Sequence, residues 1–213
     1  MPVQLVHRDV DAPAPALHVV DPQPDIDLAA ATRAAADFLK ALNLPVDSDG
    51  MRATPARMAR AYAEFFAPRP FEPTTFPNDE GYDELVLARR IPFRAICEHH
   101  LLPFVGVAHV GYLPSTRIIG LSKLARIVEH FASRPQVQER LTKHVADWLQ
   151  ASLAPVGVGV VLEAEHTCMT LRGAAANGSM TTTSTLLGTL RSDARARAEF
   201  FALARSADEG GHR

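Results

Sequence analysis

The order of strand-like and helix-like segments in the second half of the chain most constrains its fold. Alternating or β-branched apolar runs are typical of strands, and apolar residues at spacings of three and four are typical of one helix face. These patterns predict two strands, two helices and two strands, in the order 84–93, 104–114, 121–133, 137–153, 156–166 and 179–190. A last helix is predicted at 193–206. The predicted fold class is therefore α+β.

The chain before this core divides into a tail and a helical region. Residues 1–24 carry five prolines and show no sustained period, which predicts a flexible tail. An Ala- and Leu-rich helix, a second helix with Thr54 as N-cap and Pro55 at its first position, and a turn-rich connector at 67–83 are predicted next. The predicted divisions are 1–24, 25–83, 84–206 and the C-terminal tail 207–213.

Charge and cysteine content narrow the class of protein. The 213 residues carry 22 Lys and Arg against 24 Asp and Glu, a formal net charge of −2. This balance argues against a general nucleic-acid binder, which needs a broad basic excess. No run of about 18 apolar residues is present, so we expect no membrane span. Two cysteines exclude a disulfide framework, and with no signal-peptide core they favour a reduced, cytoplasmic setting.

Both cysteines lie within three positions of a histidine. Cys97 and His100 are three residues apart, so one turn of chain can offer a thiolate and an imidazole to one ion. His166 and Cys168 are two apart on a predicted strand, where their side chains share one face. Sulfur and nitrogen ligands of this kind suit zinc. The spacing does not decide between a catalytic ion and a structural ion with four protein ligands.

A basic stretch lies across the two central helices. Residues 117–143 hold six Lys and Arg against two Glu, a local net charge of +4. Lys123 and Arg126 are three apart near a predicted helix start, where their charges and unpaired N–H groups suit a phosphate. A solvated helix face explains the same pattern. Glu139 has three interpretations: a helix cap, a partner of Arg140 or Lys143, or a ligand-binding carboxylate.

Five segments together resemble the GTP cyclohydrolase I family. In chain order they read CEHHLLPFVGVAHVGYLP, IGLSK, RPQVQERLT, HTCMTLRG and TTTSTLLG, and the resemblance runs from about Ala53 to Arg205. It implies the T-fold (tunnelling fold), a four-stranded antiparallel sheet with two helices inserted after its second strand, preceded by N-terminal helices. It also implies a toroidal homodecamer whose active sites form where subunits meet.

The resemblance implies a Zn²⁺ site with three protein ligands, Cys97, His100 and Cys168. Three ligands leave a fourth position open, which favours a catalytic ion over a structural one. His99 and His166 match the acid/base histidines beside the metal in the family.

The resemblance also implies a substrate pocket for GTP. Glu139 matches the carboxylate that receives the guanine N1–H and amino hydrogens, and Gln138 lies in the same segment. Ser122 matches a serine near the reacting ring and ribose. The triphosphate contacts fall on Lys123, Arg126 and Arg172, with Arg57 as a further arginine.

The implied reaction opens the imidazole ring of GTP, releases C8 as formate and rearranges the product to 7,8-dihydroneopterin triphosphate, the first step of folate and pterin biosynthesis. Two alternatives stay open: a paralogue serving another pterin or deazapurine route, and a non-catalytic purine-binding protein with a structural metal. The complete set of cysteines, histidines and Glu139 argues against the second. The loop 174–180 departs from the family pattern, because its residues are small and uncharged.

Overall fold

The computed structural model describes residues 25–70 and 72–205, which adopt a mixed α+β fold. This class confirms the sequence-based expectation. The predicted tails, 1–24 and 207–213, lie outside the described residues. Within the described part, no helix combines the length and apolar character that a membrane crossing needs.

The described helices and strands match most of the predicted segments within two or three residues. In chain order they are α1 (Leu28–Ala41), α2 (Thr54–Phe65), β1 (Thr75–Pro77), β2 (Val86–Cys97), β3 (Pro103–Leu113), β4 (Arg117–Ile119), α3 (Leu121–Ala132), β5 (Pro135–Gln136), α4 (Gln138–Leu153), β6 (Gly157–His166), α5 (Thr167–Thr170), β7 (Thr181–Gly188), α6 (Thr189–Ser192) and α7 (Ala194–Arg205).

Strand pairing in the main sheet follows the order β5-β2-β3-β6-β7 within the described residues. The strands β2, β3, β6 and β7 pair antiparallel, and α3 and α4 lie between the second and third of them in the chain. The short β5 adds a parallel edge, with Pro135 opposite Ile96 and Gln136 opposite Cys97. Two residues are too few to produce a sequence pattern, so β5 was not predicted.

Two local predictions differ from the structure. The connector 67–83 contains β1, which pairs antiparallel with β4; three residues beside prolines resemble a loop in sequence. Ala53, not Thr54, occupies the N-cap of α2. The hydroxyl of Thr54 instead accepts a hydrogen bond from Arg57 at 3.2 Å.

The main core lies between the sheet and the two central helices. The apolar faces of α3 and α4 pack on β2, β6 and β7. Fully buried side chains from both helices include Leu124, Ile127, Leu141 and Leu149, as the predicted stripes require. Burial is nearly continuous along the first half of β6, because helices cover both faces of this strand.

The other face of the sheet receives α7 through Phe200. Gly111 and Gly159 are cross-strand partners in β3 and β6, so this part of the sheet surface carries no side chains. The ring of Phe200 lies against both glycines and is fully buried. A Cβ at Gly159 would come within 2.7 Å of that ring, so glycine is required here by packing.

We expect Gly159→Ala to lower the free energy of unfolding by about 1–3 kcal/mol, because the added methyl group overpacks the Phe200 contact. Urea denaturation monitored by circular dichroism measures this change.

Gly50→Ala is the matched control, because a Cβ at Gly50 has open space around it. The double variant Gly159→Ala/Phe200→Leu should recover part of the loss, since the smaller side chain relieves the same contact. Equal stability of the Gly159 and Gly50 variants would contradict the packing interpretation.

Candidate active site

The turn between β2 and β3 brings His100 back toward Cys97. The Leu101 N–H donates to the Cys97 carbonyl at 2.9 Å, and the Cys97 N–H donates to the Leu102 carbonyl at 2.9 Å. Leu101 adopts the left-handed conformation with a φ of 53°, which closes the turn tightly. The Cys97 Sγ therefore lies 3.9 Å from the His100 Nδ1.

Cys168 reaches the same place by a different route from the one predicted. The strand prediction for 166–168 was wrong: β6 ends at His166, and Cys168 lies in the helical turn α5. The Thr167 hydroxyl donates to the Pro103 carbonyl at 2.6 Å and fixes the start of this turn against β3. His166 and Cys168 therefore do not share one strand face.

Cys97, His100 and Cys168 form a cluster whose potential ligand atoms all lie within 4.8 Å of one another. The two thiols are buried and free of disulfides, and the imidazole is exposed. Burial raises the pKa of the Cys168 thiol, and the nearby Cys97 adds to this effect. A divalent cation would offset that cost by stabilising the thiolates.

The donor set fits zinc in chemistry, and the Cys97–His100 separation is near that of a zinc site, within a cluster up to 4.8 Å across. Tetrahedral zinc, with Zn–S of about 2.3 Å and Zn–N of about 2.0 Å, has its donors roughly 3.5–3.8 Å apart. The 3.9 Å separation of the Cys97 and His100 donor atoms is close to this value. Three protein donors of this kind are typical of a site with one open position.

His166 is held beside the cluster by Gln138 and Phe104. Its ring stacks on Phe104 with centroids 4.4 Å apart and planes inclined by 5°. The His166 Nε2 lies 2.7 Å from the Gln138 Oε1. The Gln138 amide nitrogen donates to the carbonyls of Leu162 and Thr181, at 3.1 and 2.9 Å. Its oxygen must therefore accept from His166, so Nε2 carries a proton and Nδ1 is the nitrogen whose protonation can change.

Burial and charge act on His166 in opposite directions. Burial lowers the pKa of its imidazole, and the carboxylate of Glu139 raises it by a smaller amount. Glu139 is exposed in the first turn of α4, directly after Gln138. A neutral imidazole near physiological pH is suited to accept a proton from a substrate.

His99 and Glu98 complete the exposed side of the turn. The His99 side chain is 64% exposed, and its Nε2 lies 3.9 Å from the Glu98 carboxylate. Its ring centroid is 6.3 Å from that of His100. Arg140 pairs with Glu98 and holds the pKa of that carboxyl below its usual range. Arg140 thus has Glu98 as its ion-pair partner in the structure, where the sequence had suggested Glu139.

Ser122, Lys123 and Arg126 do not join this cluster within one chain. They lie in the first half of α3, which begins where the Ile119 N–H donates to the buried Tyr112 hydroxyl at 3.2 Å. Tyr112 pairs with Val86, at the far end of β2 from Cys97. The helix ends at Ala132, shortly before β5 pairs with Ile96 and Cys97, and its 12 residues span about 18 Å.

The two remaining predicted arginines differ in position. The charge of Arg172 lies near enough to Cys168 to favour its thiolate. Arg57 donates from its guanidinium to the Gly50 carbonyl at 3.0 Å and to the Thr54 hydroxyl, so it braces the start of α2. Substrate contacts for both residues stay predictions.

A cavity of about 660 Å³ lies between α2, β2 and α3, separate from the metal cluster. Arg126 lines it together with Arg69, Arg94 and Glu129. Arg69 donates to the Glu129 carboxylate at 2.7 Å, which neutralises part of the local positive charge.

Comparison with known proteins shows the family. Residues 31–205 match the sequence model of the family described as GTP cyclohydrolase I. A protein of Corynebacterium glutamicum named GTP cyclohydrolase 1 is 50% identical, covering 85% of this chain and 95% of its own length. Proteins of the same name from Aquifex aeolicus and Mycobacterium bovis are 49% and 51% identical, covering 78% and 79% of this chain and 90% and 86% of their own.

The chain belongs to the GTP cyclohydrolase I family. The sequence-based resemblance is thereby confirmed. The family match begins within α1, earlier than the start near Ala53 that the motifs had indicated. The cysteine and histidine cluster, the half-buried His166 and the exposed Glu139 all lie within the matched residues.

Sequence reasoning missed the positioning part of Gln138. This residue is 1% exposed, and both ends of its amide are engaged inside the chain. The predicted substrate contact therefore has no free polar atom of the Gln138 side chain to use. A glutamine beside an exposed glutamate gives no sequence signal of its burial, apart from its place in line with the stripe of α4.

We expect Gln138→Leu to lower the free energy of unfolding by more than about 3 kcal/mol. The substitution leaves two backbone carbonyls and the His166 N–H unpaired, at about 1–3 kcal/mol each. Thermal or urea denaturation measures the change.

Gln150→Leu is the matched control on the same helix. The Gln150 Oε1 is buried and makes no hydrogen bond within the described residues, so leucine there should change stability by less than about 1 kcal/mol. Similar losses in the two variants would refute the proposed anchoring of His166.

Proposed function

We propose that this chain is a zinc-dependent GTP cyclohydrolase I that converts GTP to formate and 7,8-dihydroneopterin triphosphate. The observation that carries the proposal is the Cys97, His100 and Cys168 cluster beside an anchored His166, in a chain of the GTP cyclohydrolase I family. The net reaction consumes one water: two hydrations at C8 release formate, and closure of the pterin ring returns one water.

The three clustered residues would hold Zn²⁺. When bound, zinc supplies Lewis-acid chemistry that makes water acidic enough to act as a nucleophile at neutral pH. The two thiol donors and one imidazole would leave a coordination position for that purpose. Addition at C8 needs this help, because C8 of a purine is a poorly electrophilic aromatic carbon.

The histidines supply the proton transfers. Protonation of N7 makes C8 attackable, and the exposed His99 is the donor that we assign to this step. His166 holds one proton on Nε2 toward Gln138, so its Nδ1 can take and return protons without reorienting the ring. With Ser122, it would serve the opening of the ribose and the Amadori rearrangement.

Glu139 would select guanine. Its exposed carboxylate accepts the N1–H and the amino hydrogens of the base. Adenine lacks that pair of donors, so its binding would leave the carboxylate desolvated and unpaired, at a cost of several kcal/mol. Lys123, Arg126 and Arg172 would bind the triphosphate, with the N–H groups at the start of α3 and with Arg57 as a further contact.

The complete site would need two copies of the chain. Ser122 and Lys123 lie in the first turn of α3, Arg126 lies at its middle, and the cluster lies beyond its last turn, in a helix about 18 Å long. We infer that Ser122, Lys123 and Arg126 act on GTP held by a neighbouring subunit. A two-copy site supports a homo-oligomer, which we propose is the T-fold homodecamer that the resemblance implies. We further propose 84–206 as the catalytic domain, 25–83 as its helical extension and a cytoplasmic setting.

Zinc-loaded protein incubated with GTP should release formate and a pterin in equal amounts, measured by a formate dehydrogenase assay and by fluorescence after oxidation. Cys97→Ser and Cys168→Ser should abolish both products and most zinc binding, because each removes a soft donor.

ATP in place of GTP is the substrate control and should give neither product. Formate without pterin would show that ring opening occurs while the rearrangement fails. Zinc and GTP binding without either product would refute the proposed reaction and favour a purine-binding protein.

Mixed oligomers test the shared site. Cys168→Ser and Lys123→Ala should each be nearly inactive alone. Co-expression should restore about one quarter of native turnover, because random mixing gives that share of sites two intact halves. Formate release by the purified mixture measures it.

Co-expression of Cys97→Ser with Cys168→Ser is the matched control, since both substitutions damage the same half and should not complement. Turnover by a monomeric species, or no recovery in the first mixture, would contradict the two-copy site. Light scattering with size exclusion gives the subunit number.

A further inference from the structure

We propose that Arg140, Glu98 and Tyr62 are positioning residues for the turn that carries His99 and His100. They hold both ends of this turn in the conformation that binds the metal. The proposal rests on the metal site of the proposed function. It concerns residues that touch neither the substrate nor the donor atoms.

Arg140 anchors the first end of the turn. Its guanidinium pairs with the Glu98 carboxylate and also donates to the Gln136 side-chain oxygen at 2.9 Å and to the Pro135 carbonyl at 3.2 Å. The Glu98 N–H donates to the Gln136 carbonyl at 3.0 Å. Backbone and side chain of Glu98 are therefore tied to the same two-residue strand.

The anchor itself is rigid. Gln136 is fully buried, and its amide nitrogen donates to the Phe131 carbonyl at 2.8 Å. This bond orients the amide so that its oxygen faces the Arg140 Nε. The planar guanidinium of Arg140 therefore links β5 to the turn. A lysine, with one nitrogen, could not make all of these contacts.

Tyr62 anchors the other end. Its hydroxyl donates to the Leu101 carbonyl at 2.9 Å, across 39 positions of sequence. Leu101 is the residue in the left-handed conformation, and its N–H closes the turn on Cys97. The Tyr62 ring is half-buried and lies near Phe65 and Phe66, so α2 presents the hydroxyl from a fixed position.

The segment between the anchors has little else to order it. Glu98, His99 and His100 are all exposed, and an exposed turn of this length loses conformational entropy when it binds a metal. Contacts that order the turn beforehand reduce this loss. An exposed ion pair contributes little to global stability, so the effect of Glu98–Arg140 is expected at the metal rather than in the melting temperature.

The test compares Arg140→Met, Glu98→Gln and Tyr62→Phe with the native chain. Zinc affinity is measured by competition with a chromogenic chelator, and hydrogen exchange of the segment 97–102 is measured on the metal-free protein. We expect Arg140→Met and Tyr62→Phe each to weaken zinc binding about 10-fold, as loss of an outer contact to a metal ligand does. Exchange of the segment should quicken in both variants. The melting temperature should change little in Tyr62→Phe and fall somewhat in Arg140→Met, which leaves the buried Gln136 oxygen without its donor.

Conservative and double variants separate positioning from general damage. Glu98→Gln keeps an acceptor oxygen, so its loss should be smaller than that of Arg140→Met. The double variant Arg140→Met/Glu98→Gln should bind zinc no more weakly than Arg140→Met, because Arg140 and Glu98 share one contact. Arg140→Lys should recover only part of the affinity.

Lys143→Met is the matched control. Lys143 pairs with Asp147 at 2.6 Å on the exposed face of the same helix, away from the turn. Its loss should change zinc affinity less than 2-fold, within the range of a surface ion pair. Native-like zinc binding in Arg140→Met and Tyr62→Phe, or equal weakening in Lys143→Met, would overturn the proposal. Absence of formate release by the native chain would refute the proposed function and leave this zinc measurement valid.

Discussion

The pairing register of β2, β3 and β6 is the constraint on which the candidate site depends. Ile96 lies opposite Pro103, and Phe104 lies opposite His166, so the three strands reach the same edge of the sheet together. Cys97 and His166 are 69 positions apart in the sequence, yet this register places both at the same end of the three strands. A slip by one residue would turn the stacked His166 to the opposite face of the sheet. The core under α3 and α4 fixes the register, because the buried residues of these strands must face the helices.

The first residues of α4 contact the groups at this end of the strands. Three consecutive residues face three different surroundings, because successive helix positions are about 100° apart. Gln138 is buried and holds His166, Glu139 is exposed, and Arg140 reaches Glu98 in the turn between β2 and β3. One helix turn therefore orients a histidine, leaves a carboxylate exposed and ties the turn between β2 and β3 to β5.

The two-copy site proposed above depends on where the soft donors and the basic residues lie along α3. The cysteines and the half-buried His166 lie beyond the last turn of the helix, Lys123 lies in its first turn and Arg126 at its middle. A nucleotide has the same polarity, with a base and ribose at one end and a triphosphate at the other. This match between the ligand and the two regions is what the proposed two-copy site would use.

The sequence predicted the order of the main strands and helices and the helix stripes, and the family resemblance pointed to the three cysteine and histidine residues that the fold brings together. These depend on local periodicity and on the chemistry of particular side chains, which are written directly in the chain. It did not predict β1, β5 or the helical turn that carries Cys168, because segments of two to four residues are determined by their pairing partners. Nor did it find the contacts of Gln138, Arg140 and Tyr62. Their partners His166, Glu98 and Leu101 lie 28, 42 and 39 positions away, and only the tertiary fold decides which distant polar groups meet and which lose access to water.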